Sequence, residues 1–313
     1  MQKKVKFVYF GSSQFSTIIL EGLYAKGIVP SLVVSKPPRP KGRGLKLCPT
    51  EVSLFDQRKG VPFITPQSLN DSETIGRLDK EAADFFIIAD YGNIIPKSLI
   101  LLPKIFSLAI HPSLLPRYRG PAPIEYALLN GDAETGVTIF RINEKIDAGE
   151  VILQERTEIN VMDDFFSLRQ KLACTSILLL IKAFKKIDAN EYKLIAQDEN
   201  KVTFTHKLNK EDGRIDWNWP ALRIRNLIRA IKAWPSAYTC HNNLMLKILT
   251  ADVAVEEVSV ESGRIVRIDK EGIYVATAKD ILKVCLLKPQ GKKEMTAWAF
   301  VCGHKLKIGD RFG

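Results

Sequence analysis

The segment Ala109-Ile-His-Pro-Ser-Leu-Leu-Pro-Arg-Tyr-Arg-Gly120, together with Asp147, holds the residue types from which acid–base chemistry can be built. An apolar, strand-like run from Phe106 to Ile110 ends on His111, and a proline follows at once. A histidine that leaves a core strand for a rigid, proline-punctuated loop is held in one direction, as a general acid, a general base or an oxyanion donor must be. The other metal- and thiol-type residues form no such cluster. The five cysteines (Cys48, Cys174, Cys240, Cys285, Cys302) are scattered without a C-x-x-C pair and read mostly as buried thiols, not as a disulfide framework or a zinc site. His111, His206, His241 and His304 lack H-E-x-x-H or comparable ligand spacing, so no metal is expected.

The elements that must position His111 follow from hydrophobic periodicity. Strand-like runs at 5–10, 31–34, 84–89 and 106–110 alternate with segments of helical spacing, the first of them from Phe15 to about Lys26. Strands that alternate with helices give a parallel, doubly wound, Rossmann-like sheet, which binds ligands beyond the carboxyl ends of its strands. His111 falls at such an end. Further strands are expected at 137–142 and 150–159, then a long buried helix from Phe165 to about Ile187. Neither G-x-G-x-x-G after the first strand nor a P-loop is present, so no nucleotide site is indicated.

After His206 the texture changes. Residues 209–214 read as a polar linker and 220–232 as a basic amphipathic helix. Beyond them come short strands with turns at Asn242-Asn, Ser262-Gly, Glu271-Gly and Gln290-Gly, the pattern of a small OB-like β-barrel. Two domains are therefore expected, 1–206 and 207–313, as the length of 313 residues also suggests. The chain carries a net charge of +11, and residues 207–313 hold 19 Lys and Arg against 12 Asp and Glu, a net of +7. A second concentration is Lys36-Pro-Pro-Arg-Pro-Lys-Gly-Arg-Gly-Leu-Lys46, five basic residues and no acid, whose prolines and glycines predict an exposed loop without regular structure. Basic charge at the binding edge of a parallel sheet suits an anionic partner. No stretch approaches the ~20 apolar residues of a membrane span, and the first residues run directly into a strand pattern, so a cytoplasmic, non-membrane protein is expected.

His-Pro-Ser-Leu-Leu-Pro-Arg-Tyr-Arg-Gly, then Gly131-Asp-Ala-Glu-Thr-Gly-Val-Thr and Ile146-Asp-Ala-Gly, resembles the signature of the formyltransferases that use 10-formyltetrahydrofolate. Within that family the likeness runs almost end to end with the branch that formylates methionine on initiator tRNA. The loop carrying Arg39, Lys41, Arg43 and Lys46 resembles that branch's tRNA-contacting insertion. Lys207-Leu, Arg214-Ile-Asp-Trp and Ile228-Arg-Ala-Ile-Lys-Ala-Trp-Pro resemble its linker and the entry to its C-terminal barrel. The resemblance implies a formyl donor, initiator Met-tRNA as acceptor, a monomeric state and no metal. It implies catalytic roles for His111 and Asp147, and folate contacts for Ser113, Leu114, Leu115, Pro116, Tyr91 and Gly92.

When an amine attacks a formyl carbon, the oxygen becomes negative and the nitrogen must lose a proton; both changes need partners. The family places an asparagine two residues before the histidine to stabilise that oxygen. This chain has Ala109 there. Loss of one oxyanion donor costs on the order of 10²–10³ in rate, so the expectation is a protein that folds and binds but turns over slowly. Asp90, where the family has a small neutral residue, is a lesser departure. Two other readings remain at this stage: a sugar-nucleotide N-formyltransferase, which has less need of the basic loop, and a non-catalytic folate- or tRNA-binding relative.

Overall fold

The structure, a computed structural model, describes residues 5–41, 44–257 and 259–313. Its strands are β1 (Phe7–Gly11), β2 (Leu32–Val34), β3 (Arg39–Lys41), β4 (Lys46–Cys48), β5 (Phe63–Ile64), β6 (Phe85–Ala89), β7 (Phe106–His111), β8 (Glu134–Arg141) and β9 (Val151–Glu158). Then follow β10 (Tyr238–His241), β11 (Leu244–Ala254), β12 (Ile265–Asp269), β13 (Gly272–Ala276), β14 (Ile281–Pro289) and β15 (Met295–Thr296). The α-helices are α1 (Gln14–Ala25), α2 (Glu51–Lys59), α3 (Ser72–Asp79), α4 (Lys97–Ile100), α5 (Pro123–Leu129), α6 (Phe165–Asp188), α7 (Ala221–Ala230) and α8 (Ala297–His304).

The chain divides into two compact units. The first comprises 1–123, 134–158 and 169–205; the second takes 206–313 together with 124–133 and 159–168. In the first unit seven strands form one sheet in the order β5-β2-β1-β6-β7-β8-β9. β1 is buried along its whole length, as an interior strand of a sheet covered on both faces must be. On one face Val8, Phe10 and Phe86 pack with Leu78 and Leu99 of α3 and α4. On the other, the rings of Phe7 and Phe85 lie 5.6 and 5.3 Å from Phe184 of α6. Ser13 starts α1 by accepting from the Ser16 amide and completes a capping box with it, which satisfies orphan donors of the first turn.

Three features differ from the sequence reading. The sheet is mixed: β8 pairs antiparallel with β7, and β9 antiparallel with β8. No crossover helix of unit length joins β8 to β9; the nine residues between them make only a loop, and a short connection forces reversal. Secondly, the basic segment is not irregular. β3 and β4 form a two-stranded antiparallel ribbon with Arg39 opposite Cys48 and Lys41 opposite Lys46. Pro40 is tolerated because a strand with one partner has an edge where no amide donor is needed. Arg43, and the side chain of Lys41, lie outside the described residues. The cysteines differ too, since none is buried and Cys174 and Cys302 are exposed: both sit at solvent-facing positions of helices, α6 and α8, where residue type does not decide burial.

The second unit is built on an antiparallel six-stranded sheet ordered β10-β11-β14-β13-β12, with β15 added to β14. Asn242 and Asn243 make the tight turn from β10 to β11 with φ of 46° and 64°, the left-handed pair that a two-residue hairpin demands. β11 shifts register against β14 around Thr250, which bends the long strand. α7 presents an apolar side to this sheet, and charged groups tie its C-terminal end: Arg229 donates to Asn226 Oδ1 at 2.9 Å and to the Asp163 carbonyl at 3.2 Å, and Lys232, just beyond the helix, reaches Asp164 at 2.8 Å. Among the described residues no helix is long and apolar enough to cross a membrane.

Candidate active site

His111 is the last residue of β7, 7% exposed. Its Nε2 donates to the carbonyl of Tyr118 at 2.8 Å. A carbonyl only accepts, so Nε2 carries the hydrogen of the neutral ring. Nδ1 is thereby left to face Asp147, whose Oδ2 stands 3.6 Å away. That separation is slightly long for a hydrogen bond but short for charge coupling, so a proton arriving on Nδ1 makes an imidazolium opposite a carboxylate.

Asp147 is held as firmly. Its φ of 49° places it in the left-handed region, uncommon for any residue but glycine and better tolerated by aspartate. The Gly120 amide donates to Asp147 Oδ2 at 2.8 Å. Gly149 closes the turn against the Arg141 carbonyl, where a Cβ would collide. The amide side chain of Gln197 donates to the carbonyls of both Asp147 and Gly149 at 2.8 Å.

The loop after His111 is fixed from beneath by the neighbouring antiparallel strands. Thr138, the register partner of His111, donates to the Ser113 carbonyl at 2.6 Å and accepts from the Leu115 amide at 3.1 Å. Gln154 of β9 donates to the Leu115 carbonyl and to Thr138 Oγ1, both at 2.8 Å. Ser113 Oγ closes the turn on the Arg117 carbonyl at 2.6 Å. Ser113 and Leu115 are consequently buried, while Leu114 and Pro116 stay partly exposed. These last two offer apolar surface to a ligand; the main chain around them is already committed.

The residues after β6 do the reverse. The ring of Tyr91 is 1% exposed and meets Phe10 edge-on at 5.7 Å. Burial pushes its phenol up to about 12, so it does not trade protons near neutrality. What this stretch presents is main chain. Among the described residues no hydrogen bond engages the amides of Gly92, Asn93 or Ile94. Gly92 has a φ of 72°, and a Cβ there would meet Lys36 Nζ, which donates to the Gly92 carbonyl at 2.7 Å. The Asp90 carboxylate is exposed.

Ala109 lies two residues before His111 in unbroken register with β8, hence on the same face of the strand. It is partly exposed although its neighbours Ser107, Leu108, Ile110 and His111 are buried. The space above it is therefore open and holds no side-chain donor from this position. The basic residues Arg39 and Lys46 are exposed on the β3–β4 ribbon. Among the described residues no group of three His, Cys, Asp or Glu is placed to hold a metal ion.

His111 and Asp147, singled out in the sequence, lie 3.6 Å apart, and the residues that fix them carry no such signal. Thr138 was readable only as one more strand residue. Gln197 sits 50 residues from Asp147 and 78 from Arg119, with no local pattern to mark it.

Residues 3–184 match the Formyl transferase family and 207–305 the Formyl transferase, C-terminal domain family. Methionyl-tRNA formyltransferase from Thermotoga neapolitana is 37% identical over 305 residues, covering 97% of each chain. Among solved structures, HypX from Aquifex aeolicus in complex with tetrahydrofolic acid superimposes with a TM-score of 0.65 at 16% identity, over 96% of this chain and 47% of that one, so this chain spans about half the length of HypX. WlaRD, a sugar 3N-formyl transferase, gives 0.65 at 19% identity over 93% of this chain and 100% of its own. With an N-terminal family match over more than half its length and full-length relatives above 30% identity, the chain belongs to the formyl transferase family.

Proposed function

We propose that this protein transfers the formyl group of 10-formyltetrahydrofolate to the amino group of methionine on initiator tRNA. The observation that carries the reading is the coupled pair His111–Asp147 at the carboxyl end of β7, in a chain that matches the methionyl-tRNA formyltransferases over 97% of its length. The folate supplies an electrophilic formyl carbon when bound. Among the described residues the amides of Gly92 to Ile94 carry no hydrogen bond and can meet a heterocycle's polar edge, and the partly exposed Leu114 and Pro116 can meet its apolar face.

The residues then divide the work. As the amine nitrogen bonds to the formyl carbon, it gives up a proton that the His111–Asp147 pair receives. The same proton is returned to the folate nitrogen as its bond to that carbon breaks. Asp147 stabilises the charged imidazole between those events. The oxygen that becomes negative finds no side-chain donor at position 109, because alanine has nothing to donate.

In this reading 1–206 is the catalytic part with its tRNA-contacting ribbon, where Arg39, Lys41, Arg43 and Lys46 meet phosphates. Residues 207–313 form the second tRNA-binding part, and the protein works as a cytoplasmic monomer. The test is formylation of charged initiator Met-tRNA with 10-formyltetrahydrofolate, read by acid gel electrophoresis beside His111→Ala. Formylation that disappears in the variant supports the reading. Formylation of an amino-sugar nucleotide in preference to charged tRNA overturns it in favour of the sugar reading.

A further inference from the structure

Arg119 is 3% exposed and directly precedes Gly120, the residue whose amide holds Asp147. A buried guanidinium needs partners for its donors, and it has two. Nε and Nη2 donate to Gln197 Oε1 at 3.0 and 2.9 Å, while Nη1 and Nη2 reach the two Glu199 oxygens at 3.2 and 2.8 Å. Glu199 itself is exposed, and Arg119 holds its carboxyl below the usual range. The same segment is stitched by main chain: the Arg119 amide donates to the Thr203 carbonyl at 2.9 Å and the Thr205 amide to the Arg119 carbonyl at 2.7 Å.

Gln197 is the junction. Its oxygen accepts twice from Arg119, and its nitrogen donates once to the Asp147 carbonyl and once to the Gly149 carbonyl. Every lone pair and hydrogen of the side-chain amide is thus used, across three segments far apart in sequence. The left-handed turn at Asp147 is strained for a non-glycine residue, and strain of this kind persists only where surrounding bonds over-determine it. Through Tyr118, whose carbonyl receives His111 Nε2, the same Arg119 segment also fixes the imidazole.

We infer that Gln197, oriented by Arg119 and Glu199, is a positioning residue for the acid–base pair: it sets where Asp147 stands relative to His111 without touching either substrate. The inference rests on the formyl-transfer reading for its kinetic arm only. A displacement of about 1 Å in a catalytic group can cost on the order of 10²-fold in rate, so the effect belongs in kcat.

The experiment uses the full chain and two variants. Gln197→Met keeps the length and removes all four hydrogen bonds; Gln197→Glu keeps the acceptors for Arg119 and removes only the donors to Asp147 and Gly149. The expected result is that both lower kcat by about 10- to 100-fold with KM for both substrates changed less than threefold. Both should also move the ring ¹⁵N resonances of His111, assigned through His111→Gln, while those of His241 and His304 stay in place. Melting temperature and the unmoved histidines report that the fold is intact. If Gln197→Glu keeps the kcat and the His111 resonances of the parent, Gln197 serves only to satisfy Arg119 and the inference is overturned. If the parent chain shows no formyl transfer, the functional reading fails separately, and the His111 resonances alone decide whether Gln197 positions the pair.

Discussion

Asp147 Oδ2 faces His111 Nδ1 at 3.6 Å while accepting the Gly120 amide at 2.8 Å. One carboxylate oxygen thus ties His111 to the loop that follows it. In Asp147→Asn the amide either turns an N–H toward the Gly120 amide or presents a neutral oxygen to the imidazole. Both outcomes remove the charge that stabilises protonated His111. A fall in kcat of about 10²–10⁴ is expected, the range for a positioned proton-transfer group, with Kd for folate measured by fluorescence changed little. Retention of more than a tenth of the parent kcat would show that Asp147 is not part of the pair.

Ala109 and His111 share a face of β7, and the space over Ala109 is open. An asparagine there adds a donor beside the site of developing negative charge. Ala109→Asn should raise kcat by about 10²–10³, with KM nearly constant because the donor acts on the transition state. Steady-state formylation of Met-tRNA by both proteins checks this. An unchanged or lower kcat would mean that another group already fills the role.

The parts of this site that were legible in the sequence are those whose partners lie close in the chain. His111 and the proline-punctuated loop after it form a continuous string, and Asp147 lies in a recognisable Ile-Asp-Ala-Gly turn. Strand runs around β1, β6 and β7 stood out because parallel strands buried on both faces are uniformly apolar. The reversal at β8 and β9 was not legible, since alternating apolar spacing does not encode strand direction. Neither was the β3–β4 ribbon, because proline and glycine signal a break in structure unless pairing leaves them at an edge. Thr138, Gln154 and Gln197 were invisible for a different reason: their importance lies in saturating hydrogen bonds to carbonyls 25 to 50 residues away.

The exposed Arg39 and Lys46 stand on a ribbon rather than in a loose loop, which holds their charges at fixed spacing. If each meets one phosphate of the tRNA, Arg39→Ala and Lys46→Ala should each weaken binding and flatten the plot of log affinity against log salt by roughly 0.7–0.9. The steady-state KM for the folate should not move. Filter binding between low and moderate salt measures the slope. An unaltered slope in both variants would remove the ribbon from the tRNA interface.

Asp56 on α2 is fully buried, and neither of its carboxyl oxygens has a hydrogen-bond partner among the described residues. Burial pushes its carboxyl from 3.8 up to about 7. The group is therefore protonated in the folded chain, and ionised in the unfolded one, between about pH 4 and pH 7. The folded state binds more protons over that window, so stability falls as pH rises through it and stays at its lowest above the folded value. The full penalty is on the order of 4 kcal/mol, from about 1.36 kcal/mol for each unit of displacement. Asp56→Asn is neutral at every pH and nearly isosteric. Its melting temperature should match the parent's near pH 4.5 and exceed it by several degrees at pH 8.5, where the parent must carry the buried charge. Equal melting temperatures for the two proteins at pH 8.5 would show that Asp56 finds solvent or a partner when ionised.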